Sequence, residues 1–266
     1  MPSAKDMVLR PIPAREAHAF IRRVHYSGRS VTNSQVHIGV FWQGKLEGAL
    51  QLGPAMVKRN AVKLVRGTTW NGFLELNRLA FTDALPRNSE SRALAVAMRL
   101  LRKHRPDIEW VLSYADATQC GDGTIYRAAG FLLTDIRPNT GLFRMPDGTT
   151  MHYIAARASY RHRYSQHVAP GQGAAETFRQ LGAERLKGFQ LRYLYFLNRD
   201  ARARLAVPVI PYSEIARRGA AMYMGEPASA GSIGSDAPGY QPGEGGVTPT
   251  PALQPTAAVE AASGER

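Results

Sequence analysis

A strand, a helix and a second strand follow one another between residues 73 and 116, and that order constrains the fold more than any other feature of this 266-residue chain. FLELNRLAF, residues 73–81, reads as a strand with Leu74, Leu76 and Leu79 among its apolar positions. A short polar loop follows. Its end, Asn88-Ser89-Glu90-Ser91, offers hydroxyl caps and an early glutamate for a helix beginning near Ser89. Leu94, Met98 and Leu101 recur at helical spacing, Arg92, Arg99, Arg102 and Lys103 point elsewhere, and Pro106 ends the helix. WVLSYAD, residues 110–116, is a near-continuous apolar run suited to a central strand covered on both faces. GTIYRAAG is a short helix closed by Gly130, and FLLTDI is the next strand. Ligands of open α/β sheets bind beyond the ends of such strands. The polar end of the second strand, Ser113 to Asp116, is therefore the first place to look for function.

The flanking segments are less sharply patterned. Residues 10–24 predict a first helix, with Pro13 in its first turn and Ala17, Phe20, Ile21 and Val24 as its apolar stripe. Residues 25–30 follow as a loop, and residues 36–53 predict two strands around a Gln43-Gly44 turn. Residues 54–72 are basic and poorly periodic, a loop or short helix. Residues 142–157 predict a hairpin around Pro146-Asp147-Gly148, residues 174–186 a short helix, and residues 191–197 a strand. Residues 226–266, rich in Gly, Pro, Ala, Ser and Thr, bury too little apolar surface to offset their ordering entropy and predict a disordered tail. The expected organisation is a core over 1–140, a basic and aromatic extension packed on it over 141–225, and the tail.

Charge points to a partner. The chain carries +13 overall; the tail contributes −4, which leaves +17 on residues 1–225. Such a surplus attracts polyanions and gains from counterion release, so nucleic acid is the natural partner. The plainer reading is a solvated basic surface. With one cysteine, Cys120, no intramolecular disulfide or CxxC zinc site can form. No run of about 18 apolar residues predicts a membrane span, and the N-terminus does not read as a secretory signal. A cytoplasmic protein is the simplest expectation.

The order strand, helix, strand, short helix and Gly-Phe resembles the cofactor-binding half of the GNAT acetyltransferases. The resemblance implies an α/β fold with a mixed sheet flanked by helices, and it places Glu75, Asn77, Arg78, Ser113, Tyr114, Asp116 and Tyr126 near one cleft. In that superfamily a Gln/Arg-x-x-Gly-x-Gly/Ala loop holds the pyrophosphate of acetyl-CoA at a helix N-terminus. The corresponding residues here run from Arg87 through Ser89 to Arg92. The arginine is present, both glycines are missing, and Glu90 would repel a pyrophosphate. ELNRL, PRNSESRAL, SYAD, GTIYRAAGF, the upstream HYSGR and the late YLYFL and PVIPY together resemble the Mom-type DNA-modification proteins of bacteriophages over residues 20–215. That family implies conversion of adenine in duplex DNA to N6-carbamoylmethyladenine, which hides phage DNA from restriction enzymes.

Each candidate residue carries two readings. His25 and Tyr26 are a proton acceptor and its partner, or a helix cap and a packed ring. Glu75 and Asn77 share a strand face and can bind an amine or a donor, with Arg78 on the opposite face free to meet Asp116 or a phosphate; alternatively all three are structural. Arg87, Ser89 and Ser113 complete the expected donor site. Asp116 is the expected base or donor-orienting group. Tyr126, one turn into its helix, is by resemblance a general acid, or else a packed aromatic. Cys120 has no local base and reads as incidental. The histidines, His152 among them, match no metal motif, so no metal is assigned. Lys58, Arg59, Lys63, Arg66, Arg161, Arg163, Lys187 and Arg192 are expected DNA contacts or a solvated basic face. Reaching adenine N6 for chemistry calls for base flipping. The rival expectations are an acetyl-CoA-dependent N-acetyltransferase and a non-catalytic DNA-binding protein. The small-molecule donor and the oligomeric state are not legible.

Overall fold

A computed structural model describes residues 3–152, 173–223 and 225–227. Seven strands form the main sheet: β1 (Val8–Pro11), β2 (Val36–Trp42), β3 (Lys45–Gly53), β4 (Phe73–Phe81), β5 (Trp110–Asp116), β6 (Leu132–Pro138) and, from much later in the chain, a strand at Phe189–Phe196. Between β6 and that last strand lie β7 (Leu142–Arg144), β8 (Thr150–His152) and β9 (Glu184–Arg185), so the late strand is β10. The sheet order is β1-β2-β3-β4-β5-β10-β6. Only β4 and β5 run parallel; the other neighbours are antiparallel. This mixed α/β sheet is the architecture expected from the sequence.

Helices cover both faces. On one, α3 (Ser89–His104) buries Ala93, Leu94, Ala97, Met98 and Leu101 against Leu74, Leu76 and Val111, and the short α4 (Thr124–Ala128) adds Tyr126. Each fully buried Leu- or Met-sized side chain is worth about 1.5–3 kcal/mol. On the other face, α1 (Ala14–Val24) packs Ala17, Phe20 and Ile21 on Ala49 and Ala80. Further along that face, Phe73 stacks on Trp110, with ring centroids 4.3 Å apart, beside the short α2 (Lys58–Ala61).

Two departures of β4 from regularity make room for a site. Its parallel pairing with β5 stops after Phe73, Leu74 and Glu75 meet Trp110, Val111 and Leu112. Beyond that point β3 holds β4 to Phe81, and β10 holds β5 to Asp116, so the two strands part. The register against β3 also shifts, with Gln51 opposite Arg78 but Leu52 opposite Leu76. The extra residue, Asn77, is a β-bulge. Leu74 and Leu76 before it and Leu79 and Phe81 after it all join the same core, so the bulge resets the alternation. The expectation that Arg78 faces away from Glu75 is corrected by this one residue.

The remaining elements refine the expected organisation. Val8–Pro11 is an edge strand that the sequence reading missed, and the first helix starts at Ala14 rather than residue 10. Helix α5 (Ala174–Gln180) ends sooner than expected, at Gly182 with φ 79°, and β9 follows. The strands β8, β7 and β9 form a separate three-stranded sheet with its own cluster of Phe143, Met145, Met151, Phe178 and Ala183. The chain after residue 140 is more than an extension packed on a core, because β10 lies inside the main sheet between β5 and β6. Helices α6 (Arg199–Ala203) and α7 (Ser213–Arg217) follow. The last described residues form β11 (Met222–Tyr223) paired with β12 (Glu226–Pro227), so the first two residues of the expected tail are a paired strand; the rest of the tail lies outside the described residues.

Gly53 sits where β3 leaves the bulge. A Cβ there would stand 2.7 Å from Ser34 Cα and 2.8 Å from Asn77 Oδ1. Gly53→Ala is expected to cost about 1–3 kcal/mol, read from the midpoint of urea unfolding. An unchanged midpoint would show that the bulge tolerates crowding.

Candidate functional site

The parting of β4 and β5 exposes the end of each strand to the loops around it. Glu75, the last β4 residue paired with β5, accepts the Met56 backbone N–H at Oε2, 3.2 Å away. Burial raises its carboxyl pKa, opposed by the Met56 amide, the Asn77 side chain and the Arg78 charge. Asn77 is buried in the bulge. Its Oδ1 accepts from Ser34 Oγ (2.9 Å) and its Nδ2 donates to the Pro54 carbonyl (3.3 Å). Asn77 therefore pins both loops that border the cleft, a structural role. Arg78 donates to the carbonyls of Arg29 (2.9 Å) and Asn77 (2.6 Å) rather than meeting Asp116, and it lies close enough to Glu75, His25 and Tyr26 to influence all three.

On the β5 side, Ser113 Oγ is fully buried and has no partner in hydrogen-bonding geometry. The Tyr126 phenol is the polar group nearest in influence, and Ser113 favours its ionised form. Burial dominates all the same and, with Cys120, Glu90 and Glu75 near, pushes Tyr126 up to about 12. The phenol keeps its proton at neutral pH, which is the state a proton donor needs. Its ring packs against Phe131 and Tyr193, and the Tyr193 hydroxyl donates to the Asp122 carbonyl at 2.6 Å.

Asp116 is placed at the cleft but already has work to do. Its Oδ1 accepts from the Thr118 amide (3.0 Å) and Asn139 Nδ2 (3.2 Å), and its Oδ2 accepts from Gln119 Nε2 (2.9 Å). These bonds shape the turn that carries Cys120, so the contacts of Asp116 are those of a turn-forming residue. Cys120, read as incidental, lies close enough to the Tyr26 hydroxyl for each to shift the pKa of the other. Burial pushes its thiol up to about 12, so it is a neutral thiol rather than a nucleophile. The partners are 94 positions apart in the chain, which is why no local signal exposed the pair. The Tyr26 ring is 54% exposed, while its hydroxyl is tucked beside Cys120 and Asp116; burial first, then those two groups, raise its pKa.

His25 is not placed as a proton acceptor. Its Nδ1 accepts the Ser27 backbone N–H at 3.1 Å and lies 2.9 Å from Ser27 Oγ. The neutral ring therefore carries its proton on Nε2 and offers a donor there. Burial and then Arg78 bring its pKa down to about 4. Its ring lies 4.2 Å from that of Tyr26.

The expected DNA contacts divide. Arg59, Lys63 and Arg66 are exposed along α2 and the turn after it. Lys58 binds Asn71 Oδ1 at 2.9 Å and sits over the Trp70 ring. Lys187 is exposed near β10. Arg192 is committed within the fold, donating to Thr134 Oγ1 (3.0 Å) and the Thr134 carbonyl (3.1 Å) and lying 3.6 Å from Asp135; it is not available as a DNA contact. Arg161 and Arg163 lie outside the described residues.

The Mom protein family model matches residues 6–214, which include every residue of this cleft. The chain belongs to the Mom protein family. The "Methylcarbamoylase mom" of Escherichia phage Mu is 36% identical over 206 residues, covering 76% of this chain and 80% of that protein. Like that relative, this Mom family member is a transferase. Among solved structures, the ribosomal-protein-S18-alanine N-acetyltransferase of Escherichia coli covers 72% of this chain and 94% of its own length at 10% identity, with a TM-score of 0.40. The polyamine N-acetyltransferase of Drosophila melanogaster covers 72% of this chain and 100% of its own at 11% identity, also with a TM-score of 0.40.

The N-terminus of α3 does not suit the pyrophosphate of acetyl-CoA. Asn88 occupies the left-handed region (φ 65°) as the cap, Ser89 is buried with its hydroxyl spent on the Pro86 carbonyl, and Arg87 precedes both. Glu90, exposed as a side chain but with its carboxyl pKa raised by desolvation, is near enough to Tyr126 to raise that phenol too. A carboxyl where phosphate oxygens would sit opposes them.

The His25 assignment has a measurable sign. Between pH 4 and 6.5 the folded state binds fewer protons at His25 than the unfolded chain, so stability falls as pH drops through that window. An NMR titration is expected to place the His25 midpoint near 4 and to see it rise in Arg78→Met. A midpoint at or above 6.5 would overturn the buried, neutral assignment.

Proposed function

We propose that this Mom family member modifies adenine in duplex DNA to N6-carbamoylmethyladenine and so shields that DNA from restriction enzymes. The observation that carries the reading is the family match running through the whole cleft, which has a half-buried carboxyl and a protonated phenol on its two sides. The basic residues Arg59, Lys63 and Arg66 stand on the elements that follow the Met56 loop and would hold the DNA backbone.

In this reading Glu75 takes a proton from adenine N6 while N6 forms its bond to the methylene carbon of a carbamoylmethyl donor. The donor's leaving group departs with the bonding electron pair and takes a proton from Tyr126. Ser113 Oγ, buried beside the Tyr126 phenol, binds the donor in this reading. Asp116 holds the Cys120 turn, and that turn holds Tyr26. The His25 Nε2–H and Tyr26 orient what enters. Burial serves this division of labour, since a carboxyl with a raised pKa is a stronger base and a phenol with a raised pKa stays protonated until it is needed.

Nucleoside mass spectrometry on DNA from cells expressing the protein, beside an empty-vector control, is expected to find a deoxyadenosine heavier by a carbamoylmethyl group. Glu75→Gln and Tyr126→Phe are each expected to lower its yield by about 10²-fold while DNA affinity persists. Wild-type yield from either variant removes that residue from the chemistry, and unmodified DNA from folded wild-type protein removes the reading itself. Replacing Arg59, Lys63 and Arg66 together with alanine is expected to reduce the slope of log affinity against log salt by about 2–3. An unchanged slope would mean that this face does not meet phosphate.

A further inference from the structure

Beside the cleft stands an apolar ridge that the fold does not use. Met56 is 80% exposed, Val57 56% and Trp70 57%. Scattered exposed apolar residues are ordinary. This group differs in being joined and braced. Lys58, next in sequence to Val57, reaches across to Trp70, with its Nζ 4.9 Å from the ring centroid, and binds Asn71 beside it at 2.9 Å.

The ridge is held from beneath. The Pro54 carbonyl accepts from Asn77 in the bulge, Ala55 is buried under the loop, and the Met56 N–H is bound to Glu75. The Val57 carbonyl accepts the Asn60 and Ala61 amides and starts α2. The Trp70 loop is tied down by Trp110 Nε1 donating to Thr68 Oγ1 at 3.0 Å. Thus the Met56 and Val57 side chains project from a loop one hydrogen bond away from the carboxyl at the centre of the cleft.

The surroundings select the partner. Lys58, Arg59, Lys63 and Arg66 follow the ridge directly, in a chain with +17 on residues 1–225. Apolar side chains bordered by cations match the stacked bases and phosphates of DNA. Proteins that unstack DNA insert Met, Leu, Ile or Phe between base steps, where the lost stacking is replaced by apolar contact. A base leaving the duplex gives up its stacking and pairing, and filling its gap offsets part of that loss.

We propose that Met56 and Val57, backed by Trp70, form a wedge that enters the base stack beside the cleft and fills the gap left by an extruded base. The inference rests on the reading above that the cleft works on a base in duplex DNA. It assigns to the loop after β3 the task of opening the helix, and to Glu75 a bond that couples the wedge to the chemistry.

The test uses the full chain and duplexes carrying 2-aminopurine, whose fluorescence rises when it is unstacked. Wild-type protein is expected to raise that fluorescence several-fold. Met56→Ser/Val57→Ser, both surface changes, is expected to lose at least four-fifths of the rise while its dissociation constant for the same duplex, read by anisotropy, changes less than about threefold. A wild-type rise in the double variant overturns the wedge. So does joint loss of binding and fluorescence in a folded protein, which would make the ridge a general contact, and so does a change in oligomeric mass with DNA behaviour intact, which would make it a self-association surface. Nucleoside mass spectrometry separates the two readings: unstacking without a modified nucleoside leaves the wedge standing and removes the proposed reaction.

Discussion

Three residue pairs join β4 to β5, and the rest of the structure depends on why there are not more. Parallel strands with continuous apolar sequence would ordinarily pair along their whole length. Here β4 is claimed by β3 as far as Phe81 and β5 by β10 as far as Asp116. Beyond Glu75 the backbone groups on the facing edges of the two strands have no ladder partner in each other, while the outer edges stay paired. The Asn77 bulge keeps Leu79 and Phe81 on the core side while the strand bends. The cleft thus opens where the β4–β5 ladder stops while both outer ladders run on.

Desolvation sets the character of what lines that cleft. It is the leading cause of the shifts at Glu75, Tyr126, Tyr26, Cys120 and His25, and in each it favours the uncharged form. A strongly basic chain has gathered groups whose charged forms are disfavoured at its centre and kept cations such as Arg59, Lys63 and Arg66 exposed. Arg78 is the exception, with its guanidinium held by two backbone carbonyls. The division suits a polyanion gripped at the rim and a neutral group handled within.

Much of this was legible in the sequence. The strand-helix-strand core, the central position of residues 110–116 and the placement of Tyr126 followed from periodicity, capping and the resemblance, because each is encoded locally. What escaped was set by contacts between distant residues. The edge strand at Val8–Pro11 has no alternation of its own and exists through β2. The bulge at Asn77 reverses the expected direction of Arg78, and only the register against β3 reveals it. The partnership of Cys120 with Tyr26, the capture of Asp116 by Thr118, Gln119 and Asn139, and the loss of Arg192 to Thr134 and Asp135 are likewise products of the closed fold. Ser27 was the nearer clue: a hydroxyl two residues after a histidine can occupy its ring nitrogen.

The position of β10 has a temporal consequence. Its strand begins 73 residues after β5 ends, and it must enter between β5 and β6, which are already synthesised. Until residue 196 leaves the ribosome, β5 and β6 each present an unpaired edge. Long-range strand insertion of this kind slows folding and leaves edges open to other chains. The β5–β6 side of the sheet is therefore the last part to close, when the final strand enters.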